Sequence, residues 1–586
     1  MPCRSLYIVL IIFILIISTK SDVPVHCTSD QSFGKWRFHI YDKLFKPAIF
    51  NEKSTCGHGY PGKKLSEIGE KTEIPLNIIK TYELELKNDF NVYENGEKVG
   101  KWTNVYDQSF IVYYKDSVFY AHYRYYIEND NPYNYYSNCN MTMNGWFTIK
   151  EYETSNNNDN QLMGCFIGEK IVDENDNDNE ILLMSKPTKK KINKNLLKSF
   201  TMNDLKRLVD EINNSNLTWK AKINPEDLNL TFYDFYKKYF DIKNEIYDDN
   251  DENDGVEEED NDNKKNLRNL REIETSIDEI IKGIKNIDNK KMFNSENSNI
   301  KDSLREPDSH YITNKDDILK YINSSYDEID ENLLPKNWDW RDVGGENYYS
   351  EEITQGGCGS CYVVSTISIL ESRLRIKTLN KDQTKLSVKF PLSCSFYTEG
   401  CKGGYPIVLG KFFHDFEIVP QECFEYNQND ENCENVCDYE KYDKKYYVTD
   451  YGYIGGFYGA ANEVLMMKEL RARGPITGNI LSPFMFSAFS GGIYSSKIIE
   501  ENVSKGLNHK SLYEDNIFFQ KVGHSTTIVG YGEENGIKYW ICMNSYGKNW
   551  GENGYYRVLR GENEIGIESM PEFLNINFVE RKKEKK

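Results

Sequence analysis

The sequence has fewer basic than acidic residues. Its 586 residues include 72 lysines and arginines against 92 aspartates and glutamates, and the formal net charge is −20. No basic stripe and no nucleic-acid-binding motif interrupts this acidic background. Because binding to a phosphate backbone requires a positively charged face, the sequence predicts no nucleic-acid partner.

Long apolar runs are also missing, with one exception at residues 6–17. This run follows Arg4 and precedes the small residues Thr19 and Ser21. It is too short for a membrane-spanning helix, and its order of basic, apolar and small residues is that of a secretory signal peptide. We therefore expect cleavage after Ser21, a new N-terminus at Asp22 and no integral membrane span in the mature chain.

Aromatic residues are scarce between residues 171 and 333, which are rich in Asn, Asp, Lys and Glu. The acidic run at 248–262 repels itself and has little apolar area to bury, so we expect it to be disordered. Residues 200–212 carry apolar side chains at helical spacing. We interpret this region as a partly helical pro-region with a low-complexity insert; the alternative is a simple linker.

The most informative stretch that is present is residues 355–362, which read QGGCGSCY. A glutamine followed by Cys-Gly-Ser-Cys and an aromatic residue is typical of the surroundings of a nucleophilic thiol. Cys361 would attack a carbonyl as its thiolate. The side chain of Gln355 and the backbone N–H of Cys361 would bind the resulting oxyanion. The alternative is that Cys358 and Cys361 are bridged to each other or to other thiols.

Two later segments supply the groups that a thiol nucleophile needs. Residues 522–532 read VGHSTTIVGYG and contain His524, while residues 539–551 read YWICMNSYGKNWG and contain Asn544. A thiol alone is mostly protonated at neutral pH, so Cys361 needs an imidazole within hydrogen-bond reach. The oxygen of Asn544 would orient the ring of His524. The order Cys, His, Asn predicts a catalytic triad.

With these motifs, the chain from residue 334 to about residue 570 resembles the papain-family (C1) cysteine peptidases. Residues 338–341, WDWR, are similar to the family's mature N-terminus. Most members carry Trp after the nucleophile, whereas the cathepsin C (dipeptidyl peptidase I) type carries Tyr, as at Tyr362. Residues 22–28, DVPVHCT, also resemble the mature start of cathepsin C. The chain is thus similar to that type, including the dipeptidyl aminopeptidases of malaria parasites.

The resemblance implies an α+β fold, with a two-lobed papain-like protease domain and an N-terminal antiparallel β-barrel, the exclusion domain. Alternating aromatic and β-branched residues, as at 110–126, independently favour antiparallel strands and a small barrel. The expected domains are a signal peptide at 1–21, an exclusion domain at 22–170, a pro-region at 171–333 and a peptidase domain at 334–586.

The implied activity is removal of dipeptides from the free N-termini of peptides and proteins. In this family the exclusion domain blocks part of the cleft, and its first residue, here Asp22, binds the substrate's N-terminal amine. The alternative for Asp22 is an ordinary exposed acid. The partners are thus peptide or protein substrates with free N-termini, and oligomerisation stays open.

The substrate pocket implied by the resemblance contains Gly403, Gly404, Tyr405 and Tyr453. The family also binds a chloride ion at the foot of this pocket, at positions that correspond to Tyr405, Ile407 and Tyr453. The family has Tyr where this chain has Ile407, so one chloride contact is missing. We expect no metal and no cofactor for the chemistry, with chloride as a candidate only.

The 13 cysteines indicate a protein of the secretory pathway, located in a lysosome-like vacuole, a secretory vesicle or the exterior. By the resemblance, Cys361 and Cys542 stay as thiols and the other cysteines of the mature chain form five disulfides. The implied pairs are Cys27–Cys139, Cys56–Cys165, Cys358–Cys401, Cys394–Cys433 and Cys423–Cys437.

Two other functions remain open from the sequence. The first is a papain-fold endopeptidase that loses its N-terminal domain. The second is a weakly active binding protein, because Tyr546 replaces the Trp that usually shields the bond between Asn544 and His524 from water.

Overall fold

The computed structural model describes fifteen parts of the chain, and only these are discussed below. They are residues 27–41, 43–61, 77–127, 135–150, 161–172, 192–193, 202–214, 217–231, 234, 246–247, 328–351, 353–429, 433–482, 484–495 and 523–581. The predicted signal peptide, Asp22 and the acidic run at 248–262 lie outside these residues. Within them, no helix is long and apolar enough to cross a membrane.

In the described part of the chain, residues up to 170 form mainly strands, and the later residues form both helices and strands. The helices are α1 Ser29–Ser32, α2 Met202–Asn214, α3 Cys361–Lys377, α4 Lys389–Cys394, α5 Pro406–Asp415 and α6 Glu463–Arg473. The strands are β1 Gly34–Ile40, β2 Lys80–Leu86, β3 Asn91–Glu94, β4 Glu97–Val105, β5 Ser109–Tyr114, β6 Ser117–Ile127, β7 Tyr135–Thr142, β8 Gly145–Lys150, β9 Gln161–Lys170, β10 Ile192–Asn193, β11 Trp219–Ala221, β12 Ile246–Tyr247, β13 Trp338–Asp339, β14 Lys444–Tyr453, β15 Ile476–Ile480, β16 Phe489–Tyr494, β17 His524–Glu534, β18 Ile537–Met543, β19 Tyr555–Leu559 and β20 Glu572–Glu580. Short 3₁₀ turns lie at Glu52–Thr55, Pro225–Asp227, Glu331–Leu333, Gly400–Lys402, Gln421–Cys423, Cys433–Asn435, Tyr439–Lys441, Phe484–Ala488 and Glu564–Gly566.

The first nine strands form the predicted antiparallel barrel. Eight of them close a ring in the order β1, β2, β3, β4, β5, β6, β8, β9 and back to β1, and β7 pairs with both β6 and β9. Period-two alternation turns one set of side chains inward, and Phe38 packs there against Phe119 and Phe166 at ring-centroid distances of 5.0 and 5.4 Å. The predicted barrel is confirmed.

The protease part has two lobes and confirms the predicted α+β class. Helices α3, α4 and α5 lie in the first lobe. The second lobe contains the sheet β11-β16-β19-β18-β17-β13, with β15 paired to β17. The antiparallel ladder of β14 and β20 packs against both α5 and α3. The predicted nucleophile Cys361 thus begins a helix of one lobe, whereas His524 begins strand β17 and Asn544 directly follows strand β18 of the other.

A segment of the predicted pro-region is built into the second lobe. Helix α2 lies where the apolar spacing predicted a helix, and its Leu205, Val209 and Ile212 are buried in the same core as the β-sheet. Strand β11 pairs antiparallel with β16. Trp219 of β11 is fully buried, and its Nε1 donates a hydrogen bond of 3.2 Å to the carbonyl of Ser495.

The barrel packs directly on the protease through aromatic side chains. Phe90 stacks on Phe457 with ring centroids 4.0 Å apart, and Tyr106 lies 5.4 Å from Tyr405. Such stacked aromatic pairs contribute beyond their buried area. Because Tyr405 belongs to the predicted substrate pocket, the barrel contacts the protease at the pocket itself.

A buried polar network crosses the same interface. Lys411 and Asp415 form an ion pair on α5, and both side chains are fully buried. From the barrel, Gln161 Nε2 donates to Asp415 Oδ1 at 2.8 Å, and Thr148 Oγ1 accepts from Lys411 Nζ at 3.1 Å. Burial opposes ionisation of Asp415, but the charges and hydrogen bonds of Lys411 and His414 together outweigh it and lower the pKa of Asp415 to about 2. The charges on α5 thus have partners in the barrel.

Replacing Trp219 by alanine tests whether the pro-region segment belongs to the protease core. Loss of a fully buried tryptophan removes apolar contacts and leaves a cavity, so we expect Trp219→Ala to destabilise the unprocessed chain by about 3–5 kcal/mol. Urea unfolding followed by fluorescence measures this change. Lys222→Ala, at an exposed position in the same segment, is the control. Equal stability of the two variants would show that the segment is not part of the folded core.

Candidate active site

Cys361 is the first residue of helix α3, and its side chain is nearly buried. The N-terminus of a helix presents unpaired N–H groups and a positive partial charge, which favour a thiolate over a thiol. The preceding Ser360 bonds through its hydroxyl to the Tyr426 hydroxyl at 2.6 Å. The nucleophile predicted from the sequence therefore lies where its ionised form is stabilised.

His524 is the first residue of strand β17 and is buried. Its Nε2 donates to Asn544 Oδ1 at 2.7 Å, and Asn544 is held in turn because Ser545 N donates to the same oxygen at 2.8 Å. A proton on Nε2 leaves Nδ1 as the proton acceptor of the ring. Burial lowers the pKa of His524 to about 4, while the bond to Asn544 opposes that shift.

The helix and the strand that carry these residues are joined directly. Ser365, one helical turn after Cys361, bonds through its hydroxyl to that of Ser525 at 2.8 Å. Tyr546 stacks on the ring of His524 with centroids 4.9 Å apart. Burial and, to a smaller degree, the charge of Cys361 raise the pKa of Tyr546. Tyr546 therefore stacks on His524 and lies close enough to Cys361 to sense its charge.

Gln355 is fixed close to the start of α3 by four hydrogen bonds. Its backbone N donates to Ser545 O at 3.0 Å, and its Oε1 accepts from the Ser545 hydroxyl. Tyr426 donates to Gln355 O at 2.7 Å, and Gln355 Nε2 donates to Cys358 O at 3.1 Å. One N–H of the side-chain amide remains for a substrate oxyanion.

The predicted pocket residues lie where the barrel meets the protease. Gly403, Gly404 and Tyr405 line a small pocket whose other wall is formed by the barrel, and Gln108 of the barrel donates from Nε2 to the Tyr405 hydroxyl at 3.2 Å. A Cβ atom at Gly404 would lie 2.7 Å from the ring of Tyr362, so glycine is required there. Tyr453 is buried beneath this region and does not line the pocket.

Comparisons with known proteins agree with this geometry. The family profile of papain family cysteine proteases matches residues 334–574, and that of the cathepsin C exclusion domain matches residues 22–170. Cathepsin Z of Onchocerca volvulus is 30% identical over 39% of this chain and 71% of its own length. The chain belongs to the papain family of cysteine proteases.

Two further relatives of this papain-family protease are similar over different lengths. Dipeptidyl aminopeptidase 1 of Plasmodium falciparum is 25% identical over 97% of this chain and 95% of its own length. Cathepsin C of Schistosoma mansoni is 36% identical over 40% of this chain, which spans half of that relative's length. The predicted resemblance to the cathepsin C type is confirmed.

The structure contains five disulfides within the described residues. They are Cys27–Cys139, Cys56–Cys165, Cys358–Cys401, Cys394–Cys433 and Cys423–Cys437. These are the pairs that the resemblance implies. Cys361 and Cys542 are the described cysteines outside disulfides. Cys542 is fully buried, and burial strongly raises the pKa of its thiol, so it is unsuited to nucleophilic chemistry.

Tyr546 is the main departure of this papain-family protease from the family pattern. The sequence raised the question whether a Tyr leaves the bond between Asn544 and His524 exposed to water. In the structure Tyr546 covers the ring of His524, its hydroxyl bonds to that of Ser482 at 3.4 Å, and Asn544 is 1% exposed. The bond is therefore shielded, although the residue that shields it is smaller.

Sequence reasoning missed two residues that hold Gln355, the glutamine predicted to bind the oxyanion. Ser545 bonds to Gln355 through both backbone and side chain, and Tyr426 anchors the backbone of Gln355 and the side chain of Ser360. Ser545 follows the triad asparagine, which was a usable signal. Tyr426 lies in no recognised motif, and only the fold places it beside Cys361.

The residues implied for chloride do not fit an additional anion. The carboxyl group of Glu572 is fully buried, and both Ile407 and Tyr453 interact with it. The carboxyl group of Glu572 and a chloride ion would compete for the same space and the same donors.

Gln355→Ala tests the oxyanion assignment. Removing one donor to an oxyanion typically lowers kcat by about 10²–10³-fold with a small change in KM. Steady-state kinetics on a peptide reporter measure both constants. Gln383→Ala, at an exposed position of the same lobe, should be unaffected. An unchanged kcat in Gln355→Ala would contradict the role.

The raised pKa of Glu572 predicts a dependence of stability on pH. Burial raises this pKa from 4.5 to about 8, although hydrogen bonds from Thr477 and Asn479 oppose it. The folded chain then keeps a proton that the unfolded chain releases. The contribution of this proton to the free energy of unfolding is fully present below pH 4.5 and is lost as the pH rises to about 8. Between these two pH values, we expect the free energy of unfolding of the wild type to fall by about 1–4 kcal/mol more than that of Glu572→Gln.

Thermal unfolding between pH 4.5 and 8 measures this difference, with the exposed Glu562→Gln as control. The nearest titratable neighbour, Tyr453, stays neutral throughout because burial and the charge of Glu572 raise its pKa. Parallel curves for the wild type and Glu572→Gln would refute the shift.

Proposed function

We propose that this papain-family protease removes dipeptides from the free N-termini of peptides and proteins. Cys361 attacks the carbonyl between the second and third substrate residues, and the oxyanion is bound by Gln355 and the backbone N–H of Cys361. His524 accepts the thiol proton, gives it to the leaving amine, and later activates the water that hydrolyses the thioester. Asn544 keeps its ring in one orientation.

One observation carries this proposal: the barrel packs against the pocket rather than elsewhere on the protease. Gln108 bonds to Tyr405, and the backbone N of Tyr458 donates to Thr103 Oγ1 at 2.9 Å. An open papain-type cleft accepts a long chain on both sides of the cleaved bond. Because the barrel closes the end of the cleft that receives the N-terminal side of the substrate, only a short N-terminal segment fits before the cleaved bond.

The start of the described chain supports a role for Asp22. Cys27 is buried, it is tied to Cys139, and its backbone N donates to Asp107 O at 2.7 Å. Asp107 precedes Gln108, the residue that bonds to the pocket. Asp22 lies five residues before Cys27, and five residues span at most about 18 Å. A carboxylate on so short a tether can reach the ammonium group of a bound substrate and favour it by charge.

The secretory pathway is the proposed setting of this activity. Five disulfides form and persist in oxidising compartments. A lysosome-like vacuole, a secretory vesicle and the exterior all meet this condition.

The decisive experiment compares two reporters that differ only in the amine. Purified, processed protein should release the fluorophore from a dipeptide with a free N-terminus and fail on the same dipeptide after acetylation, because acetylation removes the charge and adds bulk at the closed end. Cys361→Ala should be inactive. Cys542→Ala, at the other thiol, is the matched control and should retain activity.

The alternatives predict other outcomes of this experiment. Equal rates on both reporters, or cleavage of long N-blocked peptides, would indicate an endopeptidase. If processed protein were inactive on every reporter and did not react with a thiol-directed covalent probe, a binding protein would be indicated instead.

A further inference from the structure

Glu572 is a buried acid for which the catalytic mechanism has no use. It begins strand β20, and its side chain is sealed between the two lobes with no exposed surface. Asn479 Nδ2 donates to its Oε2 at 2.7 Å, and the Thr477 hydroxyl donates to the same oxygen. The backbone N of Glu572 donates to Thr477 Oγ1 at 3.0 Å. One carboxyl oxygen therefore has firm partners in β15.

The start of helix α5 faces this carboxyl group. Pro406 is the first residue of the helix and has no N–H, so Ile407 presents the first N–H of the helix. That N–H interacts with the carboxyl group of Glu572 and favours its ionised form. The N-terminus of a helix is a natural position for a negative charge. Here the chain supplies that charge from its own side chain.

Tyr453 lies opposite Glu572 in the β14–β20 ladder, where the two residues are direct cross-strand partners. Burial and, next, the charge of Glu572 raise the pKa of Tyr453. Two buried atoms, the Tyr453 hydroxyl and Glu572 Oε1, have no hydrogen-bond partner among the described residues. Buried polar atoms are rarely left unpaired. Both are satisfied if Tyr453 donates to Glu572, directly or through one water molecule.

Ile407 and Tyr453 thus surround a carboxyl group that belongs to the chain, at the positions where the cathepsin C type binds chloride. We propose that the carboxyl group of Glu572 takes the place of that chloride ion, so that this protease works without a halide. The inference rests on the proposed function only in its choice of substrate; the replacement itself is a property of the folded chain.

The physical difference is between a fixed and a diffusible ligand. A bound ion leaves when its concentration falls, whereas a side chain on a strand stays in position at every salt concentration. When ionised, Glu572 repels a second anion, and when protonated it still fills the space and donates one hydrogen bond. In either state the carboxyl group of Glu572, beneath the substrate pocket, supplies a hydrogen-bond acceptor for the Ile407 N–H and the Tyr453 hydroxyl.

The first test uses the wild-type protein. Processed enzyme is dialysed into gluconate buffer, and chloride is then added at constant ionic strength. We expect kcat/KM on the free dipeptide reporter and the melting temperature to stay constant within about twofold and about 1 °C, respectively, as linkage requires when no ion binds. A saturable rise of either quantity with chloride would overturn the proposal.

Two variants sharpen the test. Glu572→Ala empties the position and leaves the Thr477, Asn479, Ile407 and Tyr453 donors, so we expect its melting temperature and kcat/KM to fall in gluconate and to recover with chloride or bromide. Glu572→Gln keeps the shape without the charge, so we expect it not to respond to halide. A folded Glu572→Ala protein that ignores halide would contradict the replacement.

If Glu572→Ala does not fold, the halide titrations of the wild type and Glu572→Gln decide the question alone. The melting temperature needs no substrate, so this readout stands even if the reporter shows no dipeptidase activity. If the wild type did not cleave the dipeptide reporter but its melting temperature still showed no response to chloride, the proposed function would be contradicted. The proposal that Glu572 takes the place of chloride would stand.

Discussion

A few polar side chains sealed between the barrel and the protease hold the substrate cleft in its shortened form. Lys411 and Asp415 carry opposite charges with no contact with solvent, and the barrel completes their coordination through Gln161 and Thr148. Aromatic contacts tolerate small shifts, but a buried charge that loses a partner costs several kcal/mol. The two domains are therefore expected to separate only with great difficulty, and the pocket depends on their staying together.

The candidate catalytic residues could be selected from the sequence because they lie in short local patterns. Gln355, Cys361 and the start of α3 lie within one short segment of the chain. His524 begins strand β17 and Asn544 directly follows strand β18, and both strands have clear apolar character. Alternating aromatic residues likewise predicted the barrel, since period-two patterning reports directly on strand faces. The helix in the pro-region followed from its apolar spacing.

What the sequence did not reveal depends on contacts between distant segments. Tyr426 braces the loop of Gln355 although no motif surrounds it. Likewise, the replacement of the usual Trp by Tyr546 suggested that the bond between Asn544 and His524 is poorly shielded, whereas the ring of Tyr546 stacks on His524. Glu572 is the clearest case. From the sequence, an acid in an apolar strand is expected to be exposed to solvent. Only the packing of α5, β14 and β15 around Glu572 buries its carboxyl group against their polar groups.

The disulfides have a consequence for the architecture after maturation. Two of the described bridges lie within the barrel and three lie within the helical lobe, at residues 358–437, so none links barrel to protease and none lies in the β-rich lobe. If the polypeptide were cut between the domains, the barrel and the protease would be held together by non-covalent contacts alone. Separation of the two parts would then require breaking the buried contacts between them, and reduction of a disulfide would not by itself release the barrel.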